Sequence, residues 1–235
     1  MRKILLFAGL ITLSSIISGQ KKIIIYNANL IDGIASVEKR NMMIFISNGK
    51  IESIKKDGLK PKGYKLIDLG GMYLLPGFID AHTHIRTIDA ANRALESGVT
   101  TARSASTPNF QDISIREMVK TGALIGPDMI ATGVFVTPNL GETILADTRL
   151  GNLHGGVNKE DDLRKVVQVN AQRGVDFIKT RGTERAGLPQ TDPRKQTYTE
   201  SQLKIIVDEA NKYNIPVMAH AHGDEGGYAA VKAGV

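Results

Sequence analysis

From about residue 74 onward the chain alternates short apolar runs with helical patterns, and this rhythm limits the fold more than any other feature. Runs near residues 74–79, 99–104, 129–134, 175–179 and 216–220 read as five strands. Between the last three lie two well-marked helices. Asn158 is placed to cap one whose Leu163, Val166 and Val167 share a face and which Gly174 ends. Thr199 and Gln202 form a capping-box pattern for the other, with Leu203, Ile206, Val207 and Ala210 on its buried stripe. That helix stops near Asn214, and Pro216 opens the next strand. Alternating β and α units predict a parallel sheet covered by helices.

Two of the runs end in paired histidines. Asp80-Ala81-His82-Thr83-His84 follows Tyr73 to Ile79, and His220-Ala221-His222 follows Ile215 to Ala219. The sequence has five histidines, so these pairs hold all but His154. In a strand, residues i and i+2 face one side, so each pair can aim two imidazoles at one point. Neutral imidazole is the commonest metal ligand. Lys179 ends a third run, Val175-Asp176-Phe177-Ile178-Lys179. An ammonium cannot bind a metal, but an amine that captures CO2 becomes an anionic carbamate able to bridge two cations. A strand-end lysine is otherwise an ordinary surface charge.

The preceding segment reads differently. Residues 20–72 form a small β domain of sandwich type, with Ile23-Ile24-Ile25-Tyr26 as one β-prone run. Ile44-Phe45-Ile46 and Ile51-Glu52-Ser53-Ile54 flank Asn48-Gly49, a tight-hairpin signal. Lys65 to Leu69, followed by Gly70-Gly71, closes the domain. Residues 1–19 have the layout of an export signal: Arg2 and Lys3, an apolar stretch over 4–17, then Ser18-Gly19. The stretch is short for a bilayer span, which needs about 20 residues. A periplasmic or secreted location follows. The chain has no cysteine, so a hydrophobic core must supply stability without disulfides. The formal charge of +6 is spread along the chain and favours neither nucleic acid nor, once the signal is removed, a membrane. With 5% aromatic residues and no tryptophan, stacking of sugars or bases is disfavoured. A homo-oligomer is compatible with the sequence.

Pro76-Gly77-Phe78-Ile79-Asp80-Ala81-His82-Thr83-His84 resembles the signature of the amidohydrolase superfamily. The order β domain, then barrel entered through His-x-His, is similar to that family's first half. Val175 to Lys179 resembles its strand-four carboxylated lysine, and Val217-Met218-Ala219-His220 its strand-five histidine. Ala219-His220-Ala221-His222-Gly223 is most similar to the imidazolonepropionase-related and Xaa-Pro-dipeptidase-like branch.

The resemblance implies a (β/α)8 barrel of the TIM type over residues 73–235, with about five of its strands inside this sequence. It implies that His82 and His84 bind one divalent metal, with zinc as the default, and that Lys179 as a carbamate bridges to a second held by His220. One or two ions are compatible with the motifs. His222 then faces substrate, and Asp80 either orients the His82 ring or makes a loop hydrogen bond. The family's strand-six histidine and strand-eight aspartate, its general acid–base, have no counterpart here and are expected after Val235, so this chain alone is not expected to turn over. The implied reaction is hydrolysis of a C–N bond in a small amide or dipeptide by metal-activated water. The alternatives are a mononuclear deaminase of the same superfamily and a secreted metal-binding half-barrel without chemistry.

Arg181 and Glu184 could face substrate or lie in a solvated loop; Arg181 is the substrate-binding candidate. Gly223-Asp224-Glu225-Gly226-Gly227 lacks the Gly-Lys-Ser/Thr of a phosphate loop and reads as a turn into a helix. His154 reads as an exposed loop residue, and Ser104 and Ser106 have no nucleophile-elbow context.

Overall fold

The computed structural model describes residues 22–187 and 189–235. The proposed export signal, residues 1–19, lies outside the described residues. The chain divides into two compact units between Pro76 and Gly77.

In the first unit, β1 (Lys22–Leu30), β2 (Lys39–Ser47), β3 (Lys50–Lys56), β4 (Lys65–Asp68) and β5 (Tyr73–Leu74) form one sheet. β1 pairs antiparallel with β2 on one side, and parallel with β4 and then β5 on the other. The β2–β3 hairpin turns on Asn48 (φ 50°) and Gly49 (φ 77°), the positive angles that a two-residue primed turn requires. Asn27 (φ 53°) lies at a register shift in β1 between Ile25 and Ala28. The extra residue puts Ala28 and Leu30 on the face of Ile25, where they pack with Met42 and Ile44. Ile24, Met43 and Phe45 cluster on the other face with Tyr26 and Tyr64. A sandwich is expected from the sequence, yet the described residues make a single sheet with an apolar cluster on each face. Sequence alternation alone does not separate these two arrangements.

The second unit runs β6 (Phe78–Thr83), α1 (Ile88–Glu96), β7 (Val99–Ser104), α2 (Gln111–Lys120), β8 (Asp128–Ile130), α3 (Glu160–Gln172), β9 (Ile178–Arg181), α4 (Glu200–Asn211), β10 (Val217–His220) and α5 (Asp224–Ala233). Two 3-10 helices, Gly141–Ala146 and Thr148–Leu153, lie between β8 and α3. β6, β7 and β8 pair in parallel in that order, as do β9 and β10. The unit is therefore mixed α/β with parallel strands, as the alternation predicts.

Several boundaries move. The strand expected over 74–79 is two elements: Leu74 belongs to β5 of the first unit, and the second unit starts its own strand at Phe78. Pro76, which has no N–H for a ladder, separates them. The strand expected over 129–134 is regular only to Ile130. Beyond it, side chains take the backbone groups that a ladder would use. Asp112 accepts from Thr132 N (2.9 Å) and Gly133 N (3.0 Å), and Asn170 brackets Val134 through its N–H (2.9 Å) and carbonyl (3.0 Å). Asp176 N and Val136 N still bond to Ala131 O and Lys179 O at 2.8 Å, so this stretch runs beside β9.

Lys159, not Asn158, occupies the N-cap of α3, with no side-chain cap bond. Asn158 instead accepts at its carbonyl from Gln202 Nε2 (2.9 Å). The capping box of Thr199 and Gln202 on α4 is present as expected, and Leu203, Ile206, Val207 and Ala210 are buried. Leu203, Ile206 and Ala210 join Leu163, Val166 and Val167 of α3 in the main core.

The end of β9 meets the start of α5 backbone to backbone. A Cβ on Gly226 would overlap the Gly182 carbonyl, and one on Gly182 would overlap that of Gly226. Gly226→Ala is therefore expected to cost about 1–3 kcal/mol through forced backbone movement. Urea unfolding measures it, and an unchanged midpoint would mean that this contact relaxes freely.

Candidate functional site

β9 and β10 are in register with Met218 opposite Lys179 and His220 opposite Arg181. Alternation therefore sends Lys179, Arg181, Met218 and His220 to one face. Ile178, Val217 and Ala219 go to the other, against the helices of the main core. This local rule puts the polar residues of two apolar strands on a common cavity. The cavity has a volume of about 560 Å³, and His82, His84, Lys179, Arg181, His220 and His222 all line it.

Lys179 is 1% exposed, and its Nζ has no hydrogen-bond partner among the described residues. It is the second residue of β9 rather than the last residue of a strand, which is why it is so deeply covered. Burial, followed by the charges of Arg103 and Arg181, pulls its amine down to about 8. His220 ends β10, and its Nε2 is likewise buried without a partner. Burial first, then His222 and Lys179, lowers it to about 4, so the ring is neutral at pH 7. His222 packs edge-on against it with ring centroids 4.4 Å apart, anchored by its N–H to Thr183 Oγ1 (2.9 Å).

On β6 and just past its end, the His82 and His84 rings lie 5.6 Å apart. His82 is held below the usual histidine range by partial desolvation and then by the charge of Lys179, so the two strand pairs feel each other across the cavity. Asp80 accepts from the backbone N–H of His82 (3.0 Å), which is the loop bond rather than an imidazole bond. The His84 ring is oriented by a residue that sequence reasoning passes over. Its Nδ1 is 2.9 Å from the carbonyl of Ser106. A carbonyl can only accept, so the proton is on Nδ1, and Nε2 is left as the free donor of an electron pair. Ser106 is 1% exposed, holds φ at 96°, and donates its hydroxyl to Gly133 O (2.8 Å). No sequence signal marks it, because its role is carried by its main chain.

Arg181 is not in a loop. It ends β9 with its guanidinium over the Phe135 ring at 4.6 Å, and its Nε is buried without a partner among the described residues. Glu184 does not line the cavity. It pairs with Lys195 (3.0 Å) and accepts from Asp192 N (3.0 Å). His154 is exposed and away from the cavity, as expected. Among the described residues no three His, Asp or Glu side chains converge closely enough to hold an ion by themselves.

Residues 73–235 match the amidohydrolase family. The chain belongs to that family. The ochratoxinase of Aspergillus niger is 24% identical over 257 residues, covering 91% of this chain and 53% of the relative. A dihydroorotase of Aquifex aeolicus is 25% identical over 219 residues, covering 91% of this chain and 46% of the relative. Among solved structures, a Xaa-Pro dipeptidase with methionine bound in its active site superposes with a TM-score of 0.77 at 26% identity, over 91% of this chain and 60% of that one. The A. niger ochratoxinase structure, at a TM-score of 0.67 and 23% identity, shares the fold. This chain spans about half the length of the curated relatives it matches.

Proposed function

We propose that the protein is an exported, metal-dependent amidohydrolase that cleaves a C–N bond of a small amide or dipeptide-like substrate on a (β/α)8 barrel. The observation that carries this reading is the pair of buried, unpartnered donor atoms, Lys179 Nζ and His220 Nε2, on the cavity that His82 and His84 share. A buried polar atom without a partner costs about 1–3 kcal/mol, and a bound cation would remove that cost. The donor chemistry fits the group. His82 and His84 would hold one ion, and Lys179 as a carbamate would bridge it to a second held by His220. Zinc suits such nitrogen and oxygen donors. When bound, the metal supplies Lewis-acid polarisation of the scissile carbonyl and a nucleophilic water at neutral pH.

The protein's own residues prepare the site. An amine at about 8 is roughly one-tenth unprotonated at pH 7, far more than an ordinary lysine. That free amine can attack CO2 at carbon, forming the N–C bond of the carbamate and releasing one proton. His220 is neutral and needs to lose no proton on ligation, while the Nδ1 contact with the Ser106 carbonyl leaves Nε2 as the donor atom of the His84 ring. His222 and Arg181 stand at the same cavity for the substrate.

Elemental analysis of the protein purified with bicarbonate tests the reading. One or two equivalents of divalent metal are expected, with His82→Ala and His220→Ala each losing metal and, in the full-length protein, about a thousand-fold of amide hydrolysis, the rate equivalent of about 4 kcal/mol. Full metal content in both variants would rule out the ligand set.

A further inference from the structure

The pairing of β6 with β7 slips between Asp80 and Thr83. Asp80 pairs with Ala102 and Thr83 with Ser104, so β6 advances three residues while β7 advances two. Ala81 and His82 therefore stand opposite Arg103 alone, which is a β-bulge. The added residue changes which side chains share a face. Paired residues of neighbouring strands face the same side, so Asp80 and Thr83 go with Ala102 and Ser104. That is the helix side, where Ala102 packs with Ala91 of α1 and Ile115 of α2. His82 and His84 are turned to the opposite face, from which they line the cavity, and Arg103 projects from that face too. Unbroken alternation would have kept both histidines on the side of Asp80. The bulge separates them, and Asp80 meets the main chain of His82 rather than its ring.

A bulge gives up regular ladder bonds, and Arg103 replaces them. Its Nε donates to the Ala81 carbonyl (2.9 Å), inside the bulge, and its own carbonyl accepts from Thr83 Oγ1 (3.3 Å). Just beyond, Ala105 N donates to Thr83 O (2.6 Å). The guanidinium lies over the ring of Phe177 at 5.5 Å, which holds it from the side of β9. Any residue at this position would supply the carbonyl; the bond to Ala81 needs a donor on a side chain of this length. We propose that Arg103 is a positioning residue for the metal site: its Nε–H pins the Ala81 carbonyl, and the pinned bulge fixes the directions in which His82 and His84 present their ring nitrogens. This rests on the reading of the two histidines as metal donors.

Three substitutions separate the bond from the charge. Glutamine places an amide N–H where arginine has Nε, without charge. Methionine has a methyl group there, and lysine keeps the charge with its donor one bond further out. Zinc affinity of the full-length protein, measured by competition with a chromophoric chelator, is expected to fall about 10–100-fold in Arg103→Met and to stay within about threefold of wild type in Arg103→Gln. The visible spectrum of the cobalt(II) form reports ligand geometry, which a loss of stability alone does not move. It should change in Arg103→Met and be restored in Arg103→Gln. An Arg103→Met protein with wild-type affinity and spectrum, or a glutamine variant no better than methionine, overturns the proposal. Should Arg103→Met not fold, the other two variants decide: glutamine at or above lysine supports the bond, and lysine above glutamine overturns it in favour of charge. If the wild type takes up neither metal, the metal reading fails, and nitrogen-15 spectra of the histidine rings settle the positioning alone. His84 is then expected to hold one tautomer in wild type and Arg103→Gln and to average between two in Arg103→Met; an unchanged ring in Arg103→Met overturns it.

Discussion

Lys179→Met is expected to reduce amide hydrolysis by the full-length protein by about a thousand-fold or more and, in protein stripped of metal, to raise stability. The two effects have one cause. Lys179 is buried with an amine that has no partner among the described residues, so the fold bears a cost at the point where the proposed chemistry needs a reactive nitrogen. Methionine fills nearly the same volume without a charge. The sign with pH follows from the direction of the shift. The folded amine, at about 8, lies below its ordinary value of 10.5, so folding disfavours the charged form. The penalty is full below about pH 8, shrinks as pH rises from 8 to 10.5, and is absent above. At pH 7 it amounts to about 3 kcal/mol at most. Urea unfolding of chelator-treated protein should therefore favour the variant at pH 7 and bring the two together near pH 10.5. Metal analysis of the untreated proteins should show the variant deficient. A variant that keeps its activity and metal would sink the carbamate bridge. One that is less stable at pH 7 would mean the amine has a partner after all.

The features legible in the sequence are those whose physics is local. Asn48-Gly49 needs positive φ at both residues, Thr199 and Gln202 satisfy each other's backbone, and the i, i+2 rule brings the histidine pairs to one cavity with Lys179. What escaped is non-local or carried by the main chain. Ser106 orients His84 with its carbonyl, a group every residue has. The regular part of β8 ends early because Asp112 and Asn170, 20 and 36 residues away from the groups they hold, replace its ladder. Arg181 sits among Gly182, Thr183 and Glu184, a composition that reads as loop, yet the ladder to His220 holds it in β9. The parity change at Asn27 shows the same limit: one added residue exchanges the faces of everything after it.

Asp112→Asn is expected to be the most damaging single change away from the cavity, and to reach the cavity nonetheless. The Asp112 side chain is fully buried and accepts only: Thr107 Oγ1 and Ile113 N, each at 3.0 Å, on one oxygen, and Thr132 N and Gly133 N on the other. An asparagine must turn an NH2 toward one of these donor pairs, leaving buried donors unsatisfied at about 1–3 kcal/mol each. A loss of about 3 kcal/mol is expected. The consequence travels along a named chain. Gly133, held by Asp112, offers its carbonyl to the Ser106 hydroxyl (2.8 Å) and to Thr107 N (2.9 Å), and Ser106 in turn sets the His84 ring. Loss of that support should weaken metal binding about 10–100-fold, the usual effect of removing a group that orients a ligand. Unfolding in urea measures the first effect, and metal titration of the folded fraction the second. Reduced stability with unchanged metal affinity would show that the path from Asp112 to His84 is slack, and that Ser106 holds the ring unaided.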